Sequence, residues 1–261
     1  MIPDYLMWDR SKTCSILAGR AIFVLGDSMS GQFYDTLVSA LQPSNASYAD
    51  RASSTIVCSS EGEAPSLVQY INVEEKGFAA VQSASVKIGS KNPIFVLNRG
   101  LWYRPLSSHL AAVRTLVDSV TSLDPNATLF WRTSVAGHAD AFGAKLLQNA
   151  PPLVTPLTVD AYTSGLPLQY HWWEIQSQHE ETLKVLPLNV IVLDVVNATN
   201  LRHDSHPKRS FAIDKESRDG LHYCIPGPVD MWVELWAAAL RYSASVSACL
   251  EIKHSRRYLK Q

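Results

Sequence analysis

Four short apolar runs set the strongest limit on what this chain can fold into: Ala21–Leu25, Ile94–Leu97, Ala127–Trp131 and Val190–Val195. Each is rich in β-branched or aromatic side chains and too short for a helix, the pattern of a strand buried on both faces. Segments of helical periodicity lie between them. Phe33, Leu37, Val38 and Leu41 share one face after the first run. Leu110, Val113, Leu116, Val117 and Val120 do so within Ser107–Leu123, and Trp172, Ile175, His179 and Leu183 within Leu168–Leu186. Strands alternating with helices predict an α/β fold, a three-layer α/β/α sandwich with a mainly parallel central sheet and right-handed crossovers.

Weaker signals fill in the rest. Ser54–Cys58 and Leu67–Val73 read as short strands, Phe78–Val86 as a helix and Val229–Ala244 as a terminal helix. Met1–Ser15 reads as irregular, and Ala150–Pro167 as a long Pro-rich loop of the kind that lines sites. The whole chain, 1–261, is expected to form one domain, with 1–18 as an N-terminal extension and 247–261 as a basic tail.

Composition narrows the function classes. With 46% hydrophobic and 18% charged residues, the chain can bury a substantial core. A formal net charge of -1 argues against a nucleic-acid partner. No stretch is apolar for the length a bilayer requires, so no membrane span is expected, and Met1–Arg10 lacks the regions of a signal peptide. A cytosolic location stays open on these grounds. Asn45, Asn126 and Asn197 each begin an N-glycosylation tripeptide and favour the secretory route. Cys14, Cys58, Cys224 and Cys249 allow two bridges in any of three connectivities. They have no CxxC spacing and no clustered histidines, so no metal site is expected.

Ligands of an open α/β sheet bind beyond the carboxyl ends of its strands. Just past the first run comes Gly26-Asp27-Ser28, at the start of a helix. A serine there points its hydroxyl into the crevice, beside helix N-terminal N–H groups able to hold an oxyanion. Taken alone, the tripeptide reads first as a helix cap at Asp27 or Ser28. A nucleophilic serine needs a base within reach and a carboxylate to orient that base. Asp219 and His222, three apart in a late loop, supply both; Asp204 and His206 offer a competing pair.

The order of these segments resembles the PC-esterase family, which includes the trichome-birefringence-like plant polysaccharide O-acetyltransferases, within the SGNH/GDSL superfamily. GRAIFVLGDSMSGQFYDTLVSAL is similar to the family's strand, GDS and helix, and a Trp8…Cys14 segment precedes it. FVLNRGLWY is similar to the NTGHWW block, and FWRTSVAGH to FRTxSPxH. LDVVNATNLRHDSHP and DGLHYCIPGPVDMW resemble the RxDxHP and DCxHWCLPGxxDxWN segments.

The resemblance implies an SGNH-hydrolase-like fold with Ser28 as nucleophile, His222 as base and Asp219 as orienting acid. It favours His222 over His206. The oxyanion would rest on the Ser28 N–H and the Asn98 side chain, the source of any further donor being open. Asp27, Arg99, Gly100, Arg132, Thr133, His138, Asp204 and His206 would bind substrate or support the site. The implied reaction transfers acetyl from a small acyl-ester donor to a polysaccharide or glycan hydroxyl, with no bound cofactor, in the Golgi lumen or outside the cell. With water as acceptor the same residues make an esterase, and a catalytically silent glycan-binding domain is the third reading. Gly220 replaces a family cysteine, so one family disulfide is absent, and Leu101 replaces a histidine.

Overall fold

The computed structural model describes residues 8–42, 53–88, 92–99, 105–135, 137, 174–207 and 220–258. Its first element is a helix, α1 (Arg10–Leu17), where the sequence reads as irregular. Asp9 caps it by accepting the Lys12 N–H, and Ala18 ends it in the left-handed conformation. Strand β1 (Ile22–Gly26) and helix α2 (Ser28–Leu41) follow. Next come β2 (Ser54–Val57), β3 (Ser66–Asn72) and α3 (Val73–Ile88), which kinks at Gly77 where φ is 65°. β4 (Ile94–Leu97), α4 (Leu106–Leu123) and β5 (Thr128–Arg132) complete the middle of the chain.

Helix α5 (Ile175–Val185) lies within the predicted Leu168–Leu186 helix; residues 168–173, like the Ala150–Pro167 segment, lie outside the described residues. Strand β6 (Ile191–Leu193) is shorter than predicted, because Val196–Asn200 turns into a short helix, α6. A 3-10 turn (His203–Ser205) follows, and α7 (Pro228–Tyr258) closes the chain. The backbone of α7 runs well past Ala244 because no glycine or proline interrupts it before Tyr258.

The strands form one sheet in the order β2-β3-β1-β4-β5-β6. All neighbours are parallel except β2 and β3, so β2 is an antiparallel edge strand. Helices α1, α2 and α7 pack together on one face, and α3, α4 and α5 on the other. Alternation along the strands feeds both layers. Ile22, Val24, Ile94, Val96 and Phe130 meet Met29, Phe33, Trp232 and Trp236 on the first face. Phe23, Leu25, Phe95, Leu97 and Trp131 meet Val81, Val113, Leu116 and Val120 on the second. The predicted three-layer sandwich is therefore the observed one.

Two further ties hold the N-terminal helix to α2 and to the segment between β2 and β3. Of the open connectivities, the structure contains the Cys14–Cys58 disulfide. Arg10 donates to Leu41 O and forms a two-point pair with Glu63 at 2.8 and 2.9 Å. Cys224 is exposed, and nothing is described of the Cys249 side chain.

The chain leaves β1 toward β3 on one side and returns past β1 to β4 on the other. The crevice at the carboxyl ends of β1 and β4 is thus the topological switch point, where such sheets bind ligands. Ser28 and Asn98 follow directly from those two strand ends.

Candidate active site

Ser28 is the first residue of α2, and the residue before it arranges the helix start. Asp27 Oδ1 accepts the Met29 N–H at 3.0 Å, and Asp27 O accepts the N–H groups of Ser30 and Gly31 at 3.0 and 3.1 Å. The Ser28 N–H is the remaining donor of the first turn, and a helix start supplies it no acceptor of its own. The Tyr70 hydroxyl donates to Asp27 O at 2.8 Å, pinning the turn to β3. Gly26 is needed for close approach. A Cβ there would collide with Ser30 Oγ, stand 2.9 Å from Ser30 Cβ, and lie 3.1 Å from Asn98 O.

His222 reaches this turn from the other end of the chain. Its Nε2 lies 2.8 Å from Ser28 Oγ, across a sequence separation of 194. With the ring proton on Nδ1, the Ser28 hydroxyl donates to Nε2, as a general base requires. The loop carrying His222 is gripped on two sides. Gln32 Nε2 donates to Tyr223 O at 2.7 Å while the Tyr223 N–H donates to Gln32 Oε1 at 3.1 Å. Opposite, His206 Nδ1 donates to His222 O at 2.6 Å and the Cys224 N–H to Ser205 O at 2.7 Å. The His206 ring also stacks on Tyr223, with centroids 4.5 Å apart. Of the two competing histidines, His222 is therefore the one beside Ser28, and His206 touches its backbone. Asp219 lies outside the described residues, as do Gly100 and His138.

Beneath the turn lies a buried pair of opposite charges. Arg132, at the end of β5, is 1% exposed. It donates to Thr133 O at 3.0 Å and Ser30 Oγ at 3.3 Å, and its guanidinium sits 4.8 Å over the Trp232 ring. Burial lowers its pKa to about 10, against the opposing pull of Asp27. Burial likewise pushes the Asp27 carboxyl above its ordinary range, with Arg132 drawing it back. Asp27 Oδ2 has no hydrogen-bond partner among the described residues.

Asn98 lies one residue beyond β4, with its N–H bonded to Leu25 O at 2.9 Å. Its Nδ2 donates to Arg132 O at 2.8 Å and to Ser134 Oγ at 3.0 Å. The structure thus shows the Asn98 amide donors engaged within the protein, and Oδ1 buried with no partner among the described residues. Ser134 in turn donates to Arg99 O at 3.0 Å and lines a small hollow with His109, Trp131 and Thr182.

The other candidates hold scaffold. Arg99 pairs with Glu74 at 3.3 Å, both nearly buried. Thr133 Oγ1 accepts the Val195 N–H at 3.0 Å and so joins the ends of β5 and β6. Asp204 holds Arg202 by two contacts of 2.9 and 3.0 Å. Gln32, Tyr70, Ser134 and Trp232 are site neighbours that motif reading passes over. Ser134 and Trp232 fall inside the quoted FWRTSVAGH and DGLHYCIPGPVDMW segments, and Gln32 is a polar residue one helical turn after Ser28 on the same face. Among the described residues, no group of histidine, cysteine and carboxylate side chains could hold a metal ion, and no helix is long and apolar enough to cross a membrane.

The family comparison covers the part of the chain that carries Arg132, His206 and His222 and begins after Ser28 and Asn98. Residues 101–239 match the family model described as PC-Esterase, a GDSL/SGNH-like acyl-esterase family found in Pmr5 and Cas1p. Xyloglucan O-acetyltransferase 3 of Populus trichocarpa is 38% identical over 80 residues, covering 28% of this chain and 20% of that protein. Xyloglucan O-acetyltransferase 4 of the same species is 35% identical over 77 residues, 26% of this chain and 18% of its own length. The chain thus matches about a fifth of the length of these curated relatives.

Proposed function

This chain belongs to the PC-Esterase family, and from that premise we propose that it is a serine acyltransferase placing acetyl groups on polysaccharide hydroxyls. The 2.8 Å contact between Ser28 Oγ and His222 Nε2 is the observation that carries the reading. His222 takes the Ser28 proton as Oγ attacks the carbonyl of an acetyl-ester donor. The tetrahedral oxyanion rests on the Ser28 N–H, the donor of the first turn that Asp27 does not engage. An Asn98 Nδ2–H adds to it by exchanging Ser134 Oγ for the oxyanion. His222 then protonates the departing alkoxide. In the second half-reaction a sugar hydroxyl gives its proton to His222 and attacks the acyl-serine; the ester product is released as His222 returns the proton to Ser28 Oγ.

Asp219, three residues before His222, is the acid proposed to fix the Nδ1–H tautomer. No step calls for a metal or a bound cofactor. The names of the two Populus relatives make xyloglucan the first acceptor to try. Passage through the secretory lumen, where the Cys14–Cys58 bond can form and persist, fits the same picture. Hydrolysis is the second reading, favoured by the acyl-esterase description of the family. There water replaces the sugar.

The test is to incubate the protein with an acetyl-ester donor, with and without xyloglucan oligosaccharides, and to follow acetate and glycan masses. Acetylated oligosaccharide marks the transferase, and acetate alone marks the esterase. Ser28→Ala should lower either turnover by several orders of magnitude. Undiminished turnover in that variant would refute the serine mechanism.

A further inference from the structure

We infer that Gln32 is a positioning residue that sets the distance between Ser28 and His222, an inference that rests on the serine mechanism above. Gln32 lies one helical turn beyond Ser28, on the same face of α2. Its carboxamide makes both backbone hydrogen bonds of Tyr223, the residue next to His222, at 2.7 and 3.1 Å. Only a side chain with a donor and an acceptor side by side can do this. The helix that carries the nucleophile therefore also carries the ruler for its base.

The rest of the loop shows why one clamp has such leverage. His222 O is taken by His206, and the Cys224 N–H by Ser205 O. Gln32 supplies the opposite wall, so the three residues 222–224 are held between α2 and the 203–206 turn. Removing Gln32 takes away both hydrogen bonds between the Tyr223 backbone and α2 and leaves those from the 203–206 turn in place. A shift of about 1 Å in the His222 ring is enough to lose roughly 10²-fold in rate.

The experiment compares wild type, Gln32→Leu and Gln32→Glu by the rate at which a fluorophosphonate probe labels Ser28, across pH, with thermal melts alongside. Gln32→Glu is nearly isosteric and keeps the acceptor for the Tyr223 N–H while losing the donor to Tyr223 O. It carries the measurement if Gln32→Leu does not fold. Both variants are expected to label about 10²-fold more slowly than wild type. Their labelling profiles should lie below that of wild type across the pH range, while the Gln32→Glu melt stays close to wild type. In a His222→Ala background the Gln32 substitutions should add no further loss, because Gln32 acts through that ring. Labelling within about twofold of wild type, or a loss of equal size in the His222→Ala background, overturns the inference. An unlabelled wild type overturns the serine mechanism and this inference together; a labelled wild type with equally reactive variants overturns the clamp alone.

Discussion

Gly26→Ala perturbs the site through geometry alone. The added methyl would collide with Ser30 Oγ and sit 2.9 Å from Ser30 Cβ. Carbon atoms in ordinary contact stand about 3.5–4.0 Å apart, so the first turn of α2 must retreat by about 0.6–1.1 Å. Retreat in the other direction is blocked by Asn98 O, 3.1 Å from the methyl. Ser28 belongs to that turn, and its hydroxyl starts 2.8 Å from His222 Nε2. A displacement of this size carries it out of hydrogen-bond range, a loss of roughly 10²-fold in nucleophile reactivity. Overpacking a buried turn should also destabilise the fold by about 1–3 kcal/mol.

The assay is fluorophosphonate labelling of Ser28 together with urea denaturation. The double variant Gly26→Ala/Ser30→Gly removes both colliding atoms and should recover part of the labelling rate, because the φ of 159° at residue 26 still strains an alanine there. Its stability will still be lower, because glycine inside a helix costs about 1 kcal/mol. A Gly26→Ala protein with wild-type labelling and wild-type stability would show that the turn is not closely packed against Ser30, and the reasoning would fall.

Two further perturbations have defined outcomes. Reducing Cys14–Cys58, or replacing both cysteines by serine, opens a bridge of sequence separation 44 and should lower unfolding stability by about 4 kcal/mol on the loop-closure estimate; a urea midpoint unmoved by reductant would contradict this. Asp27 has a native pKa raised by burial above its unfolded value. The native state therefore binds more protons than the unfolded state between those two values, so stability is highest below the unfolded pKa and falls as pH rises through the native one. Asp27→Asn should lack that fall. Parallel urea titrations of wild type and variant across acidic pH measure it, and identical slopes would refute the assignment.

Much of the fold is readable from residue patterns because it depends on local rules. Ala21–Leu25 and Ile94–Leu97 are apolar throughout, which only a strand covered on both faces can satisfy, and the helical spacing of Leu110 to Val120 places α4 between β4 and β5. Gly26-Asp27-Ser28 likewise identifies a strand-to-helix turn on local grounds. Even α1 has a trace, Asp9 before it and Gly19 behind it, although eight residues with no clear apolar stripe hid it.

Tertiary structure decided what these residues do for one another. Strand order is non-local, and only the path from β3 past β1 to β4 brings Ser28 and Asn98 to one crevice. The choice between His222 and His206 depends on which ring faces Ser28, because each follows an aspartate by only two or three residues. The pattern NRG marks Asn98, but that its amide is engaged with Arg132 O and Ser134 Oγ follows from where β5 ends beside β4. The disulfide was one of three connectivities until α1 packed against the end of β2. Sequence determines the local conformations and the inventory of reactive groups, because both depend on neighbours along the chain. Distances between groups 194 residues apart depend on packing, and the Ser28–His222 contact exists only in the folded molecule.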